Sequence, residues 1–575
     1  MTFKNEWQSL LAAFASGLLL LGCGFAFAEE RALSYDDVVA LARAYMDEKD
    51  SARREEILAK VEGWSERLDD IALALRPVPP PDAPTGHLPA DRFTVPRIRA
   101  RMRRLEPRLP EPLPEDGRLE VKDGRLLGIG ADGEVLWSRD HPHPEGPIPQ
   151  LIHKDPGVRT TAMMFRVRGP NGIPVKWPDG RTLYYEPGPA EEYLNWVYVP
   201  EDYDPGKPLG MVIYLHGGGG IDAVNHGAGF PTSTGAVGEL LRGGGHIAVS
   251  SGTPRIPLSK WTFPESEILF ESIIEEYSTR YAIDPDRIYL AGGSMGGYGA
   301  WHQAFRHADR FAVIAPMAAG VPAGYWPKLQ GTLLYPATGI YDPRGTAGMH
   351  ILDRMRGRDM RALMLINAEY PSGHPRDAAA APHIEALHEL INLTRRDPYP
   401  RRVCAVSPYV IDRRSRESAY YGTLEENAER YPPQPFSFWA CVLEHGPGGI
   451  PIEGLDRFVP RPRLMPAGAV DAENLGDNRF RVHVTNVRRF ALWLHPRMGV
   501  DWNRPIDIEL IEMDIAPQTL EETERARTTI TATAKPSLAA MLRYLGDRRD
   551  YGLIYHGVVE VSKEDGIYRA EGTAL

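Results

Sequence analysis

The feature that most constrains this chain is the run from Ile288 to Phe311, in which an apolar, strand-forming segment passes directly into an amphipathic one. Ile288 to Ala291 reads as a strand, and Met295 to Phe311 has the period of a helix. Between them lies Gly292-Gly293-Ser294-Met295-Gly296, a G-x-S-x-G pattern. A turn this tight needs glycines around the serine, and it leaves the serine hydroxyl exposed above the sheet edge. With 56 glycines in 575 residues the five-residue pattern alone carries little weight, so the strand on one side and the helix on the other carry the reading.

An exposed serine hydroxyl is too weak an acid to react at neutral pH without a base, and the usual base is a histidine oriented by a carboxylate. In the α/β-hydrolases, which this strand, serine turn and helix resemble, the acid and the base follow the serine in that order, each in a loop after a later strand. Asp342 meets the first requirement, lying after the strand pattern Thr332–Thr338, and His374 meets the second, lying after Ala362–Asn367. His350 and Asp353 fall inside an intervening helical pattern (348–357), while Asp377 and His383 come after the expected loop. The run His216 to Gly220 follows the apolar strand Met211–Leu215. Its glycines let backbone N–H groups approach a developing oxyanion, so Gly217 and Gly218, with the N–H of Met295, are the candidate oxyanion donors. His216 reads as structural, because His374 already fills the position of the base. No His, Cys, Asp or Glu cluster has metal-ligand spacing, so neither a metal nor a cofactor is expected.

The segments 198–205 (YVPEDYDP), 215–220 (LHGGGG) and 292–299 (GGSMGGYG) resemble serine esterases of the polyhydroxybutyrate depolymerase and feruloyl esterase group, and also peptidases near the prolyl oligopeptidase group. The similarity covers about residues 193–403. It implies the α/β-hydrolase fold, a mostly parallel sheet with helices on both faces, and acyl transfer to Ser294 with Asp342 and His374 completing the triad. At the acid loop many relatives have His-Gly-x-x-Asp, whereas this chain has Ala337 to Asp342 reading ATGIYD.

The rest of the chain divides around that core. Residues 1–28 read as an export signal: Lys4, an apolar run Leu10–Gly22 too short to span a bilayer, and Ala26-Phe27-Ala28 before Glu29. Leu20-Leu21-Gly22-Cys23 also resembles a lipobox, so both release and a lipid anchor on Cys23 stay open, in the periplasm or outside the cell. Residues 29–190 form an accessory region with a helical pattern over Ser34–Leu75, a Pro-rich stretch with a basic knot at Arg97–Arg104, and a β-meander at Leu119–Trp137. Residues 191–400 are the expected hydrolase domain, and 401–575 a β-rich domain in which two helical patterns, 520–527 and 537–543, interrupt the strands. Cys404 and Cys441 both lie in strand patterns, paired or as buried thiols. Trp326, Trp439, Trp493 and Trp502 suit core packing better than a sugar platform.

A net charge of −11 argues against nucleic acid as a partner. The sequence therefore points to an exported serine hydrolase acting on a small-molecule or polysaccharide-linked ester. The alternatives are a prolyl oligopeptidase-like serine peptidase, whose N-terminal propeller repeats are missing here, and a binding protein on a hydrolase fold.

Overall fold

The structure, a computed structural model, describes residues 33–48, 50–88, 91–93, 118–122, 125–130, 132–140, 150–151, 165–168, 184–185, 193–217, 238, 240, 243–252, 261, 264–320, 324–339, 341–342, 361–362, 365–367, 381–407, 436–456, 459–517 and 520–573. The export signal with Cys23, the basic knot, the 348–357 helical pattern, Gly218 and His374 lie outside these residues.

One large sheet organises the centre of the chain. Its strands are β1 (Tyr193–Val199), β2 (Leu209–Leu215), β3 (Ile247–Ser251), β4 (Ile283–Gly293), β5 (Val313–Met317), β6 (Leu333–Leu334), β7 (Ala337–Gly339), β8 (Arg361–Ala362) and β9 (Leu365–Asn367). They run across the sheet in the order β1, β3, β2, β4, β5, after which β6 and β8 continue the order and β7 and β9 pair beside them. β1 is antiparallel to β3, and every later neighbour is parallel. The patterns Thr332–Thr338 and Ala362–Asn367 each hold parts of two short strands, β6 and β7 in the first and β8 and β9 in the second; between β6 and β7, Pro336 has no N–H to donate.

A strand buried on both faces reads as a continuous apolar run, and β2 shows why. Met211, Ile213 and Leu215 enter one core with Trp261, with Leu269 and Ile273 of α1 (Pro264–Arg280), and with Ala300 and Ala304 of α2 (Met295–His307). Val212 and Tyr214 enter another with Ile384, Leu387 and Ile391 of α3 (Ala381–Leu393). The sheet is therefore covered on both faces. Short strands Gly86–His87 and Asp91–Phe93 pair with β1, so backbone from the N-terminal region completes the sheet edge.

Beyond α3 two five-stranded sheets face each other. Val403, Val470 and Val482 from one and Cys441, Leu492 and Val559 from the other share a single core, a sandwich packing. Cys404 and Cys441 are both buried, and no disulfide joins them. Residues 520–527 do not form a helix: Glu522–Ala532 is a strand antiparallel to Ile506–Ile515, as its β-branched run from Thr528 to Thr531 favours. Trp326, Trp439 and Trp493 are buried in the packing and Trp502 is half-buried against it. Among the described residues no helix is long and apolar enough to cross a membrane.

The helical pattern after Ser34 is broken into three helices, Tyr35–Asp47, Ser51–Lys60 and Leu68–Ala74, the first with the Ser34–Asp37 capping box. Their apolar faces bury against the helix Leu538–Arg548, with Val38, Leu58 and Ile71 meeting Leu538, Met541 and Leu545. The Asp69 carboxylate is 3.2 Å from His495 Nε2 and 3.0 Å from His556 Nε2. Burial, with the neighbouring His556 adding to it, lowers the His495 pKa from 6.5 to about 4, and burial also lowers that of His556. A folded-state value below the free one means the contribution to stability is present above about 6.5 and is lost as pH falls toward 4. Protection factors of residues 35–74 against hydrogen exchange should therefore fall in that window, and a His495→Gln variant should keep only the part of the pH dependence that His556 contributes.

Candidate active site

The site is built at the carboxyl edge of the parallel strands, where α/β sheets place their ligands. β4 ends at Gly293, α2 begins at Met295, and Ser294 alone makes the turn, with φ 56° and ψ −113°. That conformation is costly for a residue with a side chain and persists only where the surroundings enforce it. Here the Ser294 N–H donates to the Met317 carbonyl at 2.9 Å, and its own carbonyl accepts from Tyr298 N–H at 3.0 Å. The close approach explains the flanking glycines. A Cβ on Gly292 would sit 2.4 Å from the Gly296 carbonyl oxygen, and one on Gly296 would sit 1.9 Å from that of Leu215.

The loop after β2 rests on this turn. A Cβ on Gly217 would be 3.3 Å from the Ser294 Cβ, so the Gly217 backbone lines the serine directly. Met295 is the first residue of α2, and its N–H has no partner inside the helix. Ser294, Gly217 and Met295 are thus brought together. His216 is fully buried, its Nδ1–H donating to the Gly217 carbonyl at 2.8 Å. Its own carbonyl accepts from the indole N–H of Trp261 at 3.0 Å. Trp261 was not legible as part of the site: it stands in a polar stretch with no motif around it.

Asp342 follows β7 at the same edge. Its N–H donates to the Gly339 carbonyl at 3.0 Å, closing a turn that buries Asp342 and leaves Tyr341 65% exposed. The register sets Gly293 of β4 beside Met317 of β5, and Met317 beside Ala337 of β7. Asp342 thus leaves the sheet two strands from Ser294, about 10 Å along the edge. Ala337 pairs in turn with Leu365 of β9, whose last residue, Asn367, lies at the same edge seven residues before His374. Of the rival groups, His350, Asp353 and Asp377 are outside the described residues, and His383 is buried within α3 rather than in a loop.

The strand order, the antiparallel β1, the two helical layers and the serine turn together decide the fold. The large sheet has the arrangement of the α/β-hydrolase fold.

No family model matches the chain. A curated protein of Nocardia uniformis subsp. tsuyamanensis, named "Putative esterase NocK", is 29% identical over 119 residues, 20% of this chain and 34% of the relative. The match thus spans about a third of that relative's length. Among solved structures, a thermostable esterase is 16% identical with a TM-score of 0.29, covering 50% of this chain and 92% of that one. A feruloyl esterase module from Clostridium thermocellum, complexed with sinapinate, is 14% identical with a TM-score of 0.27, covering 43% and 89%. A fluorophosphonate-binding serine hydrolase of Staphylococcus aureus is 16% identical with a TM-score of 0.28, covering 36% and 96%.

Among the described residues one group has the spacing of metal ligands, Asp69, His495 and His556, and it lies at the junction of the N-terminal helices with the sandwich. The Arg497 N–H donates to His495 Nδ1 at 3.0 Å. In the neutral ring the proton is then on Nε2, the atom that faces Asp69, so His495 donates to the carboxylate and offers no lone pair there to a cation.

Proposed function

We propose that this chain is an exported serine hydrolase that cleaves a carboxylic ester, one linked to a carbohydrate or polymer, through an acyl-enzyme on Ser294. The observation that carries the reading is the strained Ser294 turn with the Gly217 backbone against it, at the carboxyl edge of a parallel sheet. A serine held at φ 56° and ψ −113° inside the Gly292–Gly296 turn has the kind of backbone strain that clusters at active sites.

In this reading the Ser294 oxygen attacks the ester carbonyl carbon, its proton passes to His374, and the carbonyl electron pair moves onto the oxygen. The N–H groups of Gly217, Gly218 and Met295 stabilise that oxyanion. Collapse breaks the bond to the alcohol, which leaves with the proton from His374. Water then repeats the sequence on the acyl-enzyme, releasing the acid and restoring Ser294. Asp342 holds the imidazole in its productive tautomer. Export, with the signal removed or Cys23 lipidated, rests on the sequence of the first 28 residues.

A panel of acetyl, feruloyl and peptide substrates tests the assignment: kcat/KM should be highest on esters, and a preference for the peptide would favour the peptidase reading. Chelators should leave turnover unchanged. Loss on chelation that a divalent ion restores would count against the mechanism.

A further inference from the structure

We infer that Trp261 is a positioning residue for the oxyanion loop, its indole N–H fixing the orientation of the Gly217 amide; this rests on the acyl-transfer reading above. A trans peptide is planar, with its C=O and N–H pointing in opposite directions. The His216–Gly217 peptide has its carbonyl committed to Trp261 Nε1–H at 3.0 Å, in a fully buried hydrogen bond. The Gly217 N–H of that same peptide is therefore turned away from the indole, on a residue whose backbone lies against Ser294.

The indole is itself held. Trp261 is fully buried, meets the His216 ring edge-on with centroids 5.2 Å apart, and stacks on Phe270 of α1 at 6.0 Å. It also presses on α2 where a Cβ on Gly299 would come within 2.2 Å of its own Cβ. The helix that presents Ser294 and the loop that presents Gly217 are thus referenced to one rigid side chain. His216 adds a second tie by donating Nδ1–H to the Gly217 carbonyl at 2.8 Å. Two successive carbonyls of a glycine-rich loop are occupied by buried donors, which removes the freedom that such a loop otherwise has. An oxyanion donor is effective only when it is already aimed before charge develops.

Trp261→Phe keeps the apolar ring and deletes the donor. Removing one oxyanion donor outright costs about 100- to 1,000-fold in kcat. Loosening one should cost about 10- to 100-fold, with KM unchanged, and affinity for a trifluoromethyl ketone analogue of the tetrahedral intermediate should fall by the same factor. A purely packing role would lower thermal stability while leaving kcat and analogue affinity in place, and that result overturns the inference. If Trp261→Phe does not fold, site-specific replacement by benzothienylalanine, an isostere with sulfur in place of the N–H, makes the same test without a change of shape. Fluorophosphonate labelling of the wild-type chain separates the two levels. No adduct on Ser294 removes the underlying reading, whereas an adduct together with an undiminished Trp261→Phe removes this inference alone.

Discussion

Ser294→Ala should lower kcat for ester hydrolysis by about a million-fold while leaving the fold in place, because loss of a triad nucleophile costs about as much as loss of the whole triad. The substitution removes a single hydroxyl from a half-buried residue, and both backbone hydrogen bonds of the turn survive it. It also relieves nothing, since alanine keeps the Cβ that makes positive φ costly. Asp342→Asn should cost about ten-thousand-fold, as expected where the carboxylate sets the tautomer of the base. Initial rates on an activated ester, measured beside a circular dichroism spectrum, check both. A Ser294→Ala protein that is folded and still turns over would remove the serine from the mechanism.

Asp550→Ala should destabilise the whole chain by about 3–5 kcal/mol, the usual cost of leaving buried charges without their partner. Asp550 binds Arg396 Nη1 at 2.6 Å and Arg310 Nη1 at 2.7 Å, and Arg396 also reaches Asp286 at 2.8 Å. Beside them Arg548 meets Asp309 at 2.5 Å, and Asp309 accepts the Phe438 N–H at 3.2 Å. Burial alone would raise the Asp550 carboxyl, but Arg310 and Arg396 overcome it and hold the group far below the usual carboxylate range. Its contribution is therefore present at neutral pH and lost only in strong acid. These residues come from the hydrolase sheet, from the segment after α3 and from the sandwich, so the network ties the two halves together. The control is the exposed pair Arg489–Glu560 at 3.2 Å, whose removal should change stability by less than about 1 kcal/mol. Urea denaturation of Asp550→Ala and Glu560→Ala reads the contrast directly.

The serine turn was legible in the sequence because its geometry is local. Glycines are demanded within a few residues of Ser294, by carbonyls at Gly296 and Leu215, and the strand and helix that flank it carry their own periodicities. The alternating strands and helices after Tyr193 were legible for the same reason, since a doubly covered sheet writes continuous apolar runs such as Met211–Leu215. What the sequence hid depends on contacts between distant positions. Trp261 binds a carbonyl 45 residues earlier, and Asp69 meets histidines 426 and 487 residues later. Segment 522–532 misled as a helix at its start because Glu and Arg are good helix formers. Pairing with Ile506–Ile515 overrides that preference with Arg525 on Glu512 and Arg527 on Glu509 across the strands.

The central claim is that Ser294 is an activated nucleophile. The most direct test treats the purified chain with a fluorophosphonate and maps the adduct by mass spectrometry. A single stoichiometric adduct is expected on the peptide containing Ser294, and none in Ser294→Ala. A folded protein that takes no adduct, or takes it on another serine, would contradict it.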